Sequence, residues 1–125
     1  MATRRTTPKQ FALFKKTCED CAKRWGITGW NIHYKHEKLN GARIGQCGTQ
    51  VFHRVAWISL RLEWDDTQIE FADVSDDAII RLARHEMTHL LLAPLADVVS
   101  ARYLSEDHER EANEAVCNHL MGLLP

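Results

Sequence analysis

The chain has no hydrophobic run long enough to cross a bilayer, and its first residues, Met-Ala-Thr-Arg-Arg-Thr-Thr-Pro, contain no apolar signal region. It also lacks an excess of charge of one sign, because 16 Lys and Arg residues face 17 Asp and Glu residues and the net charge is −1. No global field therefore attracts a nucleic acid or an anionic membrane. These absences predict a cytoplasmic protein for which neither a membrane nor a nucleic acid is the expected partner.

Internal repeats and low-complexity linkers are absent as well, so the 125 residues indicate a single domain over 1–125. Its basic, threonine-containing start, 1–7, is expected to be a flexible end. The cysteines do not form a zinc ribbon pattern, since Cys18 and Cys21 make one CxxC and no second CxxC follows. Reduced, buried thiols are expected, and a structural metal site completed by Cys47 is the alternative.

The spacing of apolar residues predicts one α+β unit. It consists of an N-terminal helix, a small sheet of about three mainly antiparallel strands, and two further helices. Thr7 followed by Pro8 is typical of a helix start, as is Ser75 followed by two aspartates. The helices are expected over 8–25, 78–93 (ended by Pro94) and 107–123, and the strands over 29–35, 42–51 and 53–62.

The chain does contain one strong chemical motif, His-Glu-Met-Thr-His at 85–89. Residues i and i+4 of an α-helix lie on one face, so His85 and His89 can offer two imidazole nitrogens to one cation. Glu86 lies beside them and can accept a proton from a metal-bound water. The flanking residues are apolar, and burying these polar groups is costly unless a metal satisfies them. The motif predicts one catalytic zinc ion and a hydrolase with Glu86 as general base.

A third zinc ligand is expected from the last helix, because catalytic zinc normally takes three protein ligands and leaves one position for water. Apolar spacing predicts that this helix buries Ala115 and Leu123, together with Ala112, Val116 and Leu120. Its candidate ligands are carboxylates and imidazoles: His108, Glu109, Glu111, Glu114 and His119.

The segments 83–91 and 111–121 together resemble the short zincins of the ImmA/IrrE type and small phage-encoded zincin-like proteins. In the ImmA/IrrE type, a helix beginning Glu-Ala-Asn follows HExxH and its glutamate binds zinc, which by resemblance makes Glu111 the third ligand. A rival register is similar to the Asn-Glu-Ala-x-x-Asp of thermolysin-like gluzincins and makes Glu114 the alternate ligand. In that register Asn118 stands where the family has an aspartate. The resemblance covers the C-terminal third to half of the chain.

The resemblance implies a minimal zincin-like domain and a gluzincin-type zinc metallopeptidase that acts on a protein or peptide, in the host cytoplasm if it is phage-encoded. Tyr103 and His108 lie in the connecting region and are candidate transition-state stabilisers. An extended substrate is expected along an edge strand, at 42–51 or 53–62. Two alternatives stay open: a zincin fold kept as a binding or regulatory protein with little turnover, and a SprT-like, DNA-associated protease, which the near-neutral charge disfavours.

Overall fold

The computed structural model describes residues 4–65, 74–100 and 106–124. Helices and strands both occur in these ranges, so the predicted α+β class is confirmed. The helices are α1 (Pro8–Arg24), α2 (Asp76–Ser100) and α3 (Glu106–Leu123), and the strands are β1 (Arg4–Arg5), β2 (Asn31–Glu37), β3 (Gly45–Gln50), β4 (Val55–Arg61) and β5 (Glu63–Trp64).

The main sheet has three strands in the order β2–β4–β3. It is mixed, because β2 runs parallel to β4 with Asn31 opposite Val55, whereas β3 runs antiparallel to β4 with Gly45 opposite Leu60. The parallel pair differs from the mainly antiparallel sheet that the sequence predicts. It arises because the chain leaves β2, forms the far edge as β3, and returns as β4 between them. Within the described residues β3 is thus an edge strand and β4 is not.

The core lies on one face of this sheet, where α1 and α2 pack. Alternate residues of β4 point into it, and Ala56, Ile58 and Leu60 are fully buried. The same hydrophobic cluster contains Phe14 and Cys18 of α1 and, from α2, Ile79, Leu82, Ala83, Met87 and Leu90. The buried position of α2 is what places the HEMTH motif at the centre of the molecule.

The N-terminal segment belongs to the fold from residue 4, which corrects the expectation of a flexible end over 1–7. Its strand β1 pairs antiparallel with β5, with Arg4 opposite Trp64. Thr6 is almost completely buried and donates from its hydroxyl to the carbonyl of Arg61 at 2.8 Å. These bonds satisfy backbone and hydroxyl groups that a flexible end would leave to water. Residues 1–3 lie outside the described residues.

Helix α2 extends beyond Pro94, which was expected to end it, and continues to Ser100. A proline lacks the N–H that would donate to the carbonyl of Leu90, so a single ladder bond is lost. The helix therefore continues for about two further turns beyond the HEMTH motif and Pro94. No helix in the described ranges combines the length and the apolar character needed to span a membrane.

Candidate metal centre

The two histidines of the motif lie one turn apart on α2, as the i, i+4 spacing predicts. The start of this helix is fixed by Ser75, whose hydroxyl accepts a hydrogen bond from the backbone N–H of Ala78 at 3.2 Å. The Nε2 atoms of His85 and His89 are 3.1 Å apart. Their side chains are 19% and 17% exposed, so both nitrogens are open to a cation from the solvent side.

Helix α3 brings a carboxylate to these nitrogens. Oε1 of Glu114 is 2.8 Å from Nε2 of His89, and Oε2 is 3.2 Å from Nε2 of His85. In a tetrahedral zinc site with bonds of about 2.0–2.1 Å, neighbouring ligand atoms stand roughly 3.3 Å apart. The spacing of the three side chains fits that geometry. Glu114 is about half exposed, which leaves room for a fourth, non-protein ligand.

The structure thus brings the alternate residue, Glu114, to the histidines, and not the preferred Glu111. Glu111 is exposed and does not belong to the ligand group that the described residues form, His85, His89 and Glu114. The reason is the register between the two helices. Asn113 contacts His89, which places Glu114 rather than the preceding turn of α3 level with the site.

The inward face of α3 is more polar than its apolar spacing predicts. Ala115 and Leu123, expected inside, are exposed, whereas Cys117 is fully buried. Asn113, which is partly buried, and Glu114, which is half exposed, lie four and three residues before Cys117 and so on the same side of the helix. Because this side of α3 carries polar residues, hydrophobic periodicity misplaces Ala115 and Leu123.

Two residues that the sequence analysis missed orient His89. Its Nδ1 lies 3.0 Å from Oδ1 of Asn113 and 3.1 Å from Sγ of Cys117. A neutral imidazole that donates from Nδ1 to the amide oxygen keeps its lone pair on Nε2, the atom that faces the ligand group. Burial raises the pKa of Cys117 to about 12, so the metal-free chain carries a neutral thiol beside His89. Asn113 and Cys117 are four residues apart, one on each side of Glu114, and this spacing could have identified them from the sequence.

The environment of His85 also favours the metal-binding form. Burial, followed by the neighbouring His89, lowers the pKa of His85 below its usual value. The imidazole is therefore neutral at neutral pH, and a neutral imidazole is the form that ligates metals. The side chain of Asn118 hydrogen-bonds to this ring. Asn118 therefore stands to His85 as Asn113 stands to His89, each amide orienting one imidazole.

Glu86 lies next to the three candidate ligands, and its carboxyl is buried without a full set of hydrogen bonds. It is only 4% exposed, and its Oε2 has no hydrogen-bond partner among the described residues. Burial, with a further contribution from Glu114, raises the pKa of Glu86 to about 8, against a lowering effect of Arg43. An unsatisfied buried carboxyl is costly, and a nearby cation with its water would satisfy it. This orphaned oxygen indicates that the site is built around a group beyond the protein chain.

Arg84 fixes α3 against α2. Its Nη2 donates to the carbonyl of Met121 at 3.0 Å and to that of Leu124 at 2.7 Å. These are the carbonyls at the end of α3, which have no partner within the helix and carry the negative end of its dipole. The contact therefore holds the register that places Glu114 beside the histidines.

The site opens into a cleft of about 880 Å³ between β3, α2 and α3. Its size is that of a pocket for a small molecule or a short peptide segment. Gly45 lets β3 approach closely, because a Cβ at this position would lie 2.9 Å from Cδ1 of Leu82. Of the two candidate stabilisers, Tyr103 lies outside the described residues, and the side chain of His108 does so too.

Comparisons of the chain with models of protein families, with curated proteins and with solved structures gave no match.

Proposed function

We propose that this chain is a zinc-dependent peptidase of the gluzincin type, with His85, His89 and Glu114 as ligands and Glu86 as general base. One observation carries the proposal. One ligand atom each of His85, His89 and Glu114 lies within 4.8 Å of the others. The carboxyl of Glu86 beside them is buried, and its Oε2 has no hydrogen-bond partner in the described part of the chain. Two histidines and one glutamate with an open fourth position form a ligand set of catalytic zinc, and the buried carboxyl beside them supplies the general base that zinc hydrolysis needs.

The chain's own residues divide the chemistry between them. A zinc ion bound here would supply an activated water and polarise the carbonyl oxygen of the substrate. Glu86 would accept a proton from the attacking water and donate it to the amine nitrogen that leaves. Its position supports this role, because the carboxyl is buried beside the ligand group and its Oε2 has no hydrogen-bond partner among the described residues that would compete with the water. Asn113 and Asn118 would hold the two imidazoles in orientation.

A peptide substrate is supported by the strand that borders the cleft. β3 is one of the two edge strands of the described sheet and is the one that lines the cleft, so its outer backbone groups can pair with an extended chain. Of the two edges considered from the sequence, 42–51 contains this strand and 53–62 contains the central one. The four free cysteines support a reducing compartment, and we include the cytoplasm in the proposal on that ground.

Metal content and proteolysis of the wild type and of Glu86→Gln test the proposal together. We expect about one zinc per chain in both proteins, because Glu86 is not a ligand. Cleavage of an unfolded, fluorescently labelled protein should fall by at least about a hundredfold in the variant, as is usual when a general base is removed. The glutamine preserves the shape of the buried carboxyl, so that folding is not the variable.

The outcomes separate the alternatives. Stoichiometric zinc with no cleavage by the wild type, under any of the peptide and protein conditions tried, would contradict the peptidase and favour a binding or regulatory protein. Protein purified without chelator that holds no zinc would contradict both. Equal cleavage by wild type and Glu86→Gln would remove Glu86 from the mechanism.

A further inference from the structure

A second, smaller cavity adjoins the candidate metal centre. It has a volume of about 250 Å³ and shares Cys47 and His89 with the large cleft. It lies on the side of His89 away from the start of α2, between the second half of β3 and the last turns of that helix. Thr49 and Val51 line one side, and Ala93, Ala96 and Asp97 line the other.

The cavity follows from two regular spacings. Along β3, positions 47 and 49 alternate onto one face of the strand, and Val51 directly follows the end of the strand. Along α2, positions 93, 96 and 97 lie four, seven and eight residues after His89 and so share its helix face. Because α2 continues through Pro94, this face extends beyond the metal ligands. The small cavity is therefore a continuation of the cleft along the same edge strand.

The dimensions of the cavity suit one side chain. It is far larger than the space that a single water needs and smaller than a pocket for a drug-sized molecule. Ala93 and Ala96 leave this space open, since each contributes only a methyl group to the wall. A peptide that lies along β3 with its scissile bond near the histidines would place a neighbouring side chain here.

The charge of the cavity is distinctive. Asp97 is exposed, is the only carboxylate among the lining residues, and has no Lys or Arg beside it on the cavity wall. No ion pair of Asp97 is formed within the described residues. The large cleft is lined by charges of both signs, namely Arg43, Arg81 and Arg110 together with Asp77, Glu86 and Glu114. The small cavity differs from it in presenting a single charge, that of Asp97, to a bound chain.

We infer that the small cavity is a specificity subsite that selects a lysine or arginine side chain of the peptide, with Asp97 as the residue that pairs with its cation. The aliphatic part of such a side chain would contact Val51 and the two alanines, and its charged end would reach the carboxylate. The inference deepens the proposed peptidase function and rests on it for the nature of the substrate.

Peptide binding tests the subsite without turnover. The probes are fluorescein-labelled nonapeptides of Ala, Ser and Gly that differ only at the central residue, which is Lys, norleucine or Glu. They are titrated against zinc-loaded Glu86→Gln protein by fluorescence anisotropy. We expect the Lys peptide to bind roughly fivefold more tightly than the norleucine peptide, a modest ratio because an exposed carboxylate is screened by solvent. Norleucine controls for the aliphatic contact.

Substitutions at Asp97 assign the preference to this residue. In the Glu86→Gln background, Asp97→Asn should make the Lys and norleucine peptides bind equally, and Asp97→Lys should favour the Glu peptide. Asp20→Asn is the matched control, because this substitution removes the same charge. Asp20 is exposed on α1 and lines neither cavity. The ratio should be unchanged in that control. Wild-type protein is assayed in parallel for cleavage of the same peptides.

Each outcome decides something. A Lys preference that survives in Asp97→Asn, or an equal affinity for Lys and norleucine peptides in the parent, overturns the subsite. Cleavage without an Asp97-dependent preference leaves the peptidase and removes the subsite. An Asp97-dependent preference in binding, with no cleavage by the wild type, leaves the subsite and overturns the peptidase. Binding of none of the peptides overturns the subsite, and the cleavage of the unfolded protein by the wild type then decides the peptidase separately.

Discussion

Oδ1 of Asn113 lies 3.0 Å from Nδ1 of His89, while Nε2 of the same ring lies 2.8 Å from the carboxylate of Glu114. Two adjacent residues of α3 thus contact the two ring nitrogens of His89. The amide oxygen fixes the hydrogen on Nδ1, so that the lone pair of Nε2 points at the ligand group. Helix α3 therefore contributes one candidate ligand and also orients a candidate ligand that belongs to α2.

The first prediction concerns Asn113. Asn113→Ala removes the acceptor for Nδ1, and zinc affinity should fall by about tenfold or more, as is typical when the partner of a ligating histidine is lost. Asn113→Asp is the conservative control and should retain the affinity, because a carboxylate accepts the same hydrogen bond. Competition with a chromophoric chelator measures both dissociation constants. An unchanged affinity in Asn113→Ala would show that Cys117 or water orients His89 equally well.

The second prediction separates the two glutamates of α3. Glu114→Gln should weaken zinc binding by at least about a hundredfold, since a direct ligand matters more than the partner of one. Glu111→Gln should leave zinc binding unchanged, because Glu111 is exposed and lies outside the ligand group. Both changes remove one negative charge from the same helix, so each is the control for the other. Metal retention after dialysis against a weak chelator gives the readout, and loss of zinc from Glu111→Gln alone would reverse the assignment.

Local chemistry made the metal helix and its start predictable from the sequence. The spacing of His85 and His89 fixes their relative position on any α-helix, independently of what packs around them. Thr7 also caps α1 as predicted, with reciprocal hydrogen bonds between Thr7 and Gln10 at 3.0 and 3.1 Å. These features depend only on residues within one turn of each other.

The third ligand was not fixed by the sequence, because it depends on contacts between distant helices. Glu111 and Glu114 lie on consecutive turns, and either could face α2 in a suitable register. Two contacts set the register between the helices: Arg84 donates to carbonyls at the end of α3, and Asn113 lies beside the ring of His89. The sheet order has the same origin, since the alternation in β2 and β4 identifies strands and does not identify their partners.

The third prediction compares two glycines of β3. Gly45→Ala should destabilise the fold by about 1 kcal/mol, because the new methyl group meets the buried side chain of Leu82. Gly48→Ala should be neutral or slightly stabilising, since nothing lies within 4 Å of that Cβ position. Urea denaturation of both variants in excess chelator gives the difference in the free energy of unfolding. Equal effects of the two substitutions would contradict the close approach of β3 to α2.

The fourth prediction concerns the pH dependence of the metal-free protein. The folded-state pKa of Glu86 is raised to about 8, so the folded chain binds this proton more tightly than the unfolded chain, whose Glu has a pKa near 4.5. The unfolded state then binds fewer protons between these values, and stability falls as pH rises through that window. The contribution of Glu86 is largest below about pH 4.5 and has been lost above about pH 8. Its size is on the order of a few kcal/mol.

Glu86→Gln isolates this effect, because glutamine resembles the protonated carboxyl and does not titrate. The lowered pKa of His85 acts in the opposite sense, with stability lost as pH falls below its usual value, and it is common to both proteins. We therefore expect the variant to gain stability over the wild type progressively from pH 5 to pH 8, in urea titrations with excess chelator. A difference that stays constant over this range would show that Glu86 is already ionised when the metal is absent, and that its oxygens find water in the cleft.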